Sequence, residues 1–454
     1  NLCGVLRIRL HQDGVNVKRI VLTTDKIING KFNVTVGEDN IPSIAPVANL
    51  VDGYTVSGSY TTALVCDEVQ SIGGEGHIFY LYLPAGHYED MTLTLYDEHD
   101  LIASKTAHDI NITRSKYTKV AIEGNMTFAA PEGALKGLFS VRPDRRVRFS
   151  KGNLHYGRIS GTYKWSFAEH QWDYAGQYGS YYDLFPWAAS GYNGTNPTNR
   201  VNNSSNSGYY SAVRNIVGTQ YDWGLHNPIE NGGNAKGLWF TMSSSEWGYL
   251  LHCRPNALSK QGIGTVNDVK GLIILPDYFE YPAGCPVLPT TTFLPSNANN
   301  VLDNSEWGYG RVVYNAAQWA QMEENGAAFL PAAGYYGSYN INSQSKWGYR
   351  QTHLDNDKPI GYYWTSTRWL RLADVNYSRA GYESVISLFF MQGRTNIGQY
   401  VHCPSDPGAA GSVNPDQLIP YYWSASVRLV QDENMVNVMP EYYLELDGHP
   451  HYTE

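Results

Sequence analysis

Read position by position, the first part of the chain alternates between apolar and polar side chains. In VLRIRL (Val5 to Leu10), Leu6, Ile8 and Leu10 share one face, with Arg7 and Arg9 on the other. KFNVTV (Lys31 to Val36) sets Phe32, Val34 and Val36 against polar neighbours. MTLTLY (Met91 to Tyr96) sets Met91, Leu93 and Leu95 against Thr92, Thr94 and Tyr96. A period of two marks a strand with one buried and one wet face. IFYLYL (Ile78 to Leu83) is apolar on both faces, the pattern of a central strand. DEHD (Asp97 to Asp100) supplies turn chemistry before LIAS resumes the alternation. Short strands so spaced, with no helical period among them, predict an all-β sandwich over residues 1–124.

EGNMTFAAPEGALKG (Glu123 to Gly137) breaks the alternation with Pro, Gly and Ala and reads as a linker over 125–137. From Leu138 onward Trp, Tyr, Gly and Asn become dense, and two helices stand out. SSSEWGYLLHCR (Ser243 to Arg254) opens on serine with a nearby glutamate, a capping-box arrangement, and sets Trp247, Leu250 and Leu251 on one side. YNAAQWAQMEENG (Tyr314 to Gly326) places Ala316, Trp319, Ala320 and Met322 at near-helical spacing and stops at Gly326. KGLIILP (Lys270 to Pro276) and AAFLPAAG (Ala327 to Gly334) are buried strands by length and flanks, and NGTNPTNRVNNSSNSG (Asn193 to Gly208) is a loop. The pattern predicts an α+β domain with much irregular backbone over 138–454. One phrase recurs, as GYYWTSTRWL from Gly361 and PYYWSASVRLVQ from Pro420. Its tryptophans, Trp364 and Trp423, are 423 − 364 = 59 residues apart with no supporting period, so this is no internal repeat. Both are expected in the core, with small Thr and Ser beside them allowing close strand packing.

Composition narrows the class. A chain of 454 residues exceeds one ordinary core. Its 36 tyrosines and low charge suit an extracellular β-rich protein with long ordered loops better than a helical enzyme. The net charge of −9 and the lack of a basic run argue against a general nucleic-acid binder and against an anionic membrane surface. No apolar run reaches the roughly 20 residues that span a bilayer. The chain opens at Asn1 inside what reads as a strand, as a trimmed or mature exported form would. Its five cysteines, Cys3, Cys66, Cys253, Cys285 and Cys403, are too sparse for a disulfide scaffold but leave room for one or two bridges. No CxxC pair suggests a zinc ribbon or a thioredoxin-like site.

The opening strand LCGVLRIRL, the pair KRIVLTT and GKFNVTV, and LPAGHYEDMTLTLYDEHDLIASKTAHDINITRSKYTKV together resemble the fimbrillin-like proteins. These are surface-pilus subunits of certain Gram-negative bacteria. The resemblance implies assembly by β-strand addition, in which a neighbour's strand completes an open sandwich. Further on, FSVRPDRRVRFSKGNLHY, KWSFAEHQWDYAG, DLFPWAASGYN, YDWG with NPIENGG, GLWFTMSSSEWGYLL, GLIILPD, AAFLPAAGYY, GYYWTST and SVRLVQ follow in order. They resemble a bacterial branch of the C-type-lectin-like fold, related in shape to formylglycine-generating and sulfatase-modifying proteins. That fold implies that its first and last strands, here in VRFSKGNLHY and SVRLVQ, pair antiparallel and close the domain.

The fold includes an oxidase that needs paired reactive cysteines near the domain's end, and Ser426 to Val430 holds none. His252-Cys253 and His402-Cys403 are adjacent pairs whose side chains diverge, so neither is a ready dyad. No GxSxG elbow or HExxH occurs, and Glu323 with Glu324 reads as solvated charge at a helix end. Calcium sites of lectins on this fold use Asn and Glu around a Pro and a later Trp-Asn-Asp. NPIENGG has the wrong order, and Trp364 and Trp423 precede Thr-Ser and Ser-Ala, poor ligands for a hard cation. In HPHYTE, His449 and His451 would share one face if the segment is a strand, which alone makes no metal site. No catalytic residue, metal or cofactor is therefore expected. Trp165, Trp172, Trp239 and Trp247 read as core. The candidate ligand-binding residues are Tyr335, Tyr336, Tyr339, Trp347, Tyr349 and Trp369, where this fold displays variable loops.

These readings converge on a cell-surface adhesion protein, a fimbrial tip or accessory subunit at the bacterial outer membrane or fimbria. Its partners would be pilus or other surface subunits at the N-terminal sandwich, and a glycan or host protein at the C-terminal domain. Two alternatives stand beside it: a surface lipoprotein that captures polysaccharide without a pilus role, and an enzyme on the lectin-like fold, which nothing in the sequence favours.

Overall fold

The computed structural model describes residues 2–38, 42–47, 49–51, 54–56, 60–98, 100–124, 126–175, 179–199, 215–293, 302–304, 308–337, 339–341, 344–346, 350–354, 358–369, 384–397, 418–421 and 423–433. The chain divides into two compact units, Asn1–Ala130 and Pro131–Glu454.

The strands of the first unit are β1 (Cys3–His11), β2 (Asn16–Thr24), β3 (Phe32–Val36), β4 (Pro42–Pro46), β5 (Asn49–Val51), β6 (Tyr54–Val56), β7 (Thr61–Ser71), β8 (His77–Pro84), β9 (Gly86–Asp97), β10 (Ile102–Ile112) and β11 (Tyr117–Glu123). One sheet runs β11-β1-β8 and a second β10-β9-β2-β7. β1 lies parallel to β11 and antiparallel to β8. The two sheets share one apolar cluster that includes Leu6, Ile8, Leu10, Leu22, Phe79, Leu81, Met91, Leu93 and Leu95, a sandwich-like arrangement. Burial alternates along β1 as its sequence does. A slip of one residue would drive Arg7 and Arg9 into that core, which fixes the register.

Two expected strands differ. β8 is an edge strand, not a central one: its even positions Ile78, Tyr80 and Tyr82 are exposed. Tyrosine tolerates a wet face because its ring ends in a hydroxyl, so an edge strand can look apolar on both sides. β3 also lacks its expected buried face. Among the described residues it pairs with β4 alone and no second sheet covers that ribbon, and Val34 and Val36 are exposed.

The second unit is mostly strands in several sheets, with few helices among the described residues. Arg145–Phe149 pairs antiparallel with Leu429–Asp432, Phe149 opposite Val430, so the strands in VRFSKGNLHY and SVRLVQ pair as expected. Val269–Ile274 and Ala328–Pro331 are the two buried strands read from the sequence, and they pair with each other. The helix Ser244–Gly248 carries the full capping box, with Ser243 and Glu246 each bonding the other's backbone N–H. Trp247, Leu250 and Leu251 are buried in the adjoining core. The helix Ala316–Glu324 is capped by Asn315 and buries Trp319 and Met322, while Ala320 faces solvent. Gly326 ends this stretch at φ 89°, and a Cβ there would lie 2.4 Å from the Cα of Gly137, so only glycine fits.

The recurring YYW phrase resolves into neighbours. Tyr363 and Ser426 form a parallel bridge. The N–H of Trp364 donates to Ser426 at 3.0 Å, and that of Ser426 to Tyr362 at 3.0 Å. Trp364 is buried and its Nε1 donates to the Phe185 carbonyl at 2.6 Å. Trp423 is half-buried. The expected closing strand is broken into Leu418–Pro420, Ser424–Ala425 and Leu429–Asp432. Trp165, Trp239 and Trp247 are buried, whereas Trp172 is half-buried and stacks on the exposed ring of His170 at 4.6 Å.

Candidate functional site

The sequence places Tyr335 and Tyr336 on a displayed loop. In the structure they form a two-residue strand between Ser424–Ala425 and Arg350–Gln351 and are 3% and 1% exposed. Tyr335 stacks on Trp423 with centroids 5.0 Å apart and meets Tyr362 edge-on at 5.1 Å. Gly337 is small for this reason: a Cβ there would come within 2.6 Å of the Trp423 ring. These aromatics pack the two YYW phrases together, with Tyr335, Tyr336 and Tyr362 buried and Trp423 half-buried. Tyr339 lies in the strand Tyr339–Ile341, paired with Gln344–Lys346, and Trp369 ends the strand Lys358–Trp369 opposite Ser384. Trp347 and Tyr349 lie outside the described residues, as do His402, Cys403, His449 and His451.

Charged groups gather beside the buried tyrosines. Arg350 stands opposite Tyr336. Its Nη1 and Nη2 donate to the two oxygens of Asp183 at 2.9 Å each, and its Nε to the Ala333 carbonyl at 2.7 Å. Asp183 also accepts from the Ala175 N–H at 2.8 Å. His155 stacks on Tyr181 with centroids 4.0 Å apart. Burial lowers its pKa to about 4, against the opposing pull of Asp183 and Asp173, so at neutral pH it is uncharged. With both carboxylate oxygens and the guanidinium engaged, the group is a clasp between distant segments.

A second network joins the closing stretch to the middle of this unit. The buried Arg428 donates to Gln171 Oε1 at 2.8 Å, and Gln171 donates to Glu323 at 2.9 Å. Asn153 donates to the Tyr363 hydroxyl at 3.0 Å, which donates to the Pro331 carbonyl at 2.9 Å. Glu323 is thus half-buried and bonded, rather than the free solvated charge its place at a helix end suggests. These are fastenings too, and sequence separation hid them. Cys253 is disulfide-bonded, and Cys3, Cys66 and Cys285 carry reduced thiols. Among the described residues no three His, Cys, Asp or Glu side chains gather as a metal site would require.

A concave feature with an apolar lining lies in the first unit. A cavity of about 270 Å³ opens between β10 and β11, with Leu6, Ile8 and Leu93 among its floor residues and Ala107, Val120 and Ile122 on its walls. β10 and β11 are edge strands of different sheets, so the groove runs between two backbone edges that carry few pairings. Among the described residues β10 is met on that side by an isolated bridge from Ala129 to Ile102 and by the Thr118 hydroxyl of β11, which donates to the Asn111 carbonyl at 2.8 Å. The inward positions of β10 explain the gap. Lys105 stands opposite Leu93 and Ala107 opposite Met91, so a charge and a small side chain occupy places where large apolar groups would close the sandwich. Beyond them Asp109 takes a left-handed φ of 56°, and the inward positions change phase to Ile110 and Ile112. The signal for this groove was present in IASKTAHDI, a strand too poor in apolar residues to cover its half of the core.

No protein-family model matches the chain, and no curated protein matches it. It is similar to an NMR structure of a protein from Eubacterium rectale, at 16% identity over 29% of this chain and 92% of that one. The TM-score is 0.13, too low to carry fold or function across.

Proposed function

We propose that the chain is a bacterial cell-surface adhesion protein, a fimbrial tip or accessory subunit. In this reading a fimbrillin-like sandwich precedes a C-type-lectin-like domain that meets a glycan or host protein. The observation that carries it is the groove between β10 and β11. An apolar floor flanked by two backbone edges is what an incoming β-strand requires: main-chain bonding on the edges and pockets for alternate side chains. Lys105 favours a donor strand bearing an acidic side chain, and it discourages two copies from pairing edge to edge. The antiparallel closure by Leu429–Asp432 supports the lectin-like reading at the level of topology. The disulfide at Cys253 supports export to an oxidising compartment.

Filling the groove tests this. Ala107→Trp should stop co-purification of the chain with surface subunits from its own cells. His108→Trp, one position along β10 on the other face and outside the groove lining, should leave it intact. Equal recovery of surface subunits with wild type and Ala107→Trp would sink the strand-addition reading.

A further inference from the structure

The outer face of the β11-β1-β8 sheet lies opposite the core and takes no part in the groove. Tyr80 is 48% exposed, Tyr117 64% and Tyr82 71%. Single exposed tyrosines are ordinary on strands, but these three are contiguous. Val5 lies between Tyr117 and Tyr82 in the register, and Arg7 between Lys119 and Tyr80. The rings of Tyr80 and Tyr117 lean across β1 and meet edge-on, centroids 6.2 Å apart. Tyr82 extends the strip along β8, about 7 Å from Tyr80 by strand geometry. Arg9 is engaged by Glu123. Arg7 and Lys119 have no ion pair or hydrogen bond among the described residues. A flat aromatic strip with two uncommitted cations therefore lies on a chain whose net charge is −9.

We propose that this face binds an acidic glycan, a polymer of carboxylated sugars. The apolar faces of successive pyranose rings would lie on Tyr80, Tyr82 and Tyr117, whose hydroxyls add a polar handle at the ring edge. Sugar carboxylates would pair with the guanidinium of Arg7 and the ammonium of Lys119. The face is a strip rather than a pocket, which suits an extended polymer over a small molecule. Two cations are too few for an anionic bilayer, which is held by many basic groups together with protruding apolar side chains. Bases of a single-stranded nucleic acid also stack on aromatic rings, but that mode relies on a positively charged groove, which a net charge of −9 disfavours.

Titration calorimetry on the whole chain tests the proposal, with oligogalacturonate and hyaluronan oligosaccharides as probes for a plant and an animal source. Cellohexaose, an oligothymidylate and phosphatidylserine vesicles serve as competing classes. At least one uronate probe should bind, with affinity falling as salt is raised. Tyr82→Ala and Arg7→Gln should each weaken binding about tenfold, roughly 1.4 kcal/mol, while Tyr82→Phe retains it. Both positions point to solvent, so unchanged thermal unfolding of the variants separates lost binding from lost fold. Failure of both uronates to bind overturns the proposal, as does binding indifferent to Tyr82→Ala and Arg7→Gln. Tighter binding of the oligothymidylate or the vesicles overturns it in favour of those classes. Because the strand groove is on the opposite face, Ala107→Trp should leave uronate binding unchanged, so the two readings stand or fall separately.

Discussion

At the scale of single residues, the buried titratable groups of the second unit set how it responds to acid. His155 and His252 both have pKa values lowered to about 4 by burial. Unfolded, each would titrate near 6.5. The folded unit therefore gains from their neutrality above pH 6.5 and loses that gain as pH falls toward 4, on the order of 3 kcal/mol each. Asp222 works the other way. Burial raises its carboxyl to about 7 despite bonds from Thr241 and Gly224. Its protonation below pH 7 favours the folded state, and that contribution is lost as pH rises through 7. The expected outcome is a calorimetric transition for this unit that drops in temperature between pH 6.5 and 4.5. His155→Gln should flatten the drop, and Asp222→Asn should steepen it. A transition temperature constant over this range, in wild type and variants alike, would contradict the assignment.

At the scale of elements, the closure of the second unit depends on a charge clamp at the start of one strand. Arg145 pairs with Glu246 of the capped helix and with Asp432 of the closing strand, and all three side chains are about nine-tenths buried. Its guanidinium also lies 4.7 Å from the centre of the Phe240 ring. Arg145→Ala removes the guanidinium that both desolvated carboxylates share and should destabilise the unit by about 3–5 kcal/mol. Urea unfolding measures it, and a loss under about 0.5 kcal/mol would mean that the clamp is effectively solvated. This clamp also marks how far the sequence could be read. The Ser243–Glu246 cap, the alternation in β1 and β9 and the stop at Gly326 are signals written within a few residues, and they were legible. Arg145 with Asp432 is separated by 287 positions and Arg350 with Asp183 by 167, so no local pattern announces either pair. The edge position of β8 was hidden for a related reason. Whether a second sheet or solvent meets Tyr80 and Tyr82 is decided by tertiary partners, and tyrosine suits both. Tyr335 and Tyr336 were misplaced on a loop because the strands that bury them come from Ser424–Ala425 and Arg350–Gln351, remote in sequence.

At the scale of the whole molecule, the division into two units is a statement about cooperativity. The first unit's strands β1 and β11 pair in parallel from Val5 opposite Tyr117 to His11 opposite Glu123, so the two ends of the segment close on each other. The chain does not finish that unit at Glu123. Gln12 donates to the Met126 carbonyl at 3.0 Å and accepts from its N–H at 2.8 Å. Met126 is buried with the sandwich core, and Ala129 pairs with Ile102. A cut after Ala130 severs none of these pairings, whereas a cut after Glu123 removes all three. The fragment ending at Ala130 should therefore fold alone, with dispersed amide resonances and one cooperative urea transition. The fragment ending at Glu123 should be weaker by about 2–5 kcal/mol, the cost of losing a buried methionine and its backbone partners. Folding of both should be slow, because the parallel β1–β11 pairing joins residues more than a hundred positions apart and its loop must close before the contacts form. Equal stability of the two fragments would place the boundary at the end of β11, and an unfolded Asn1–Ala130 fragment would show that the first unit is not autonomous.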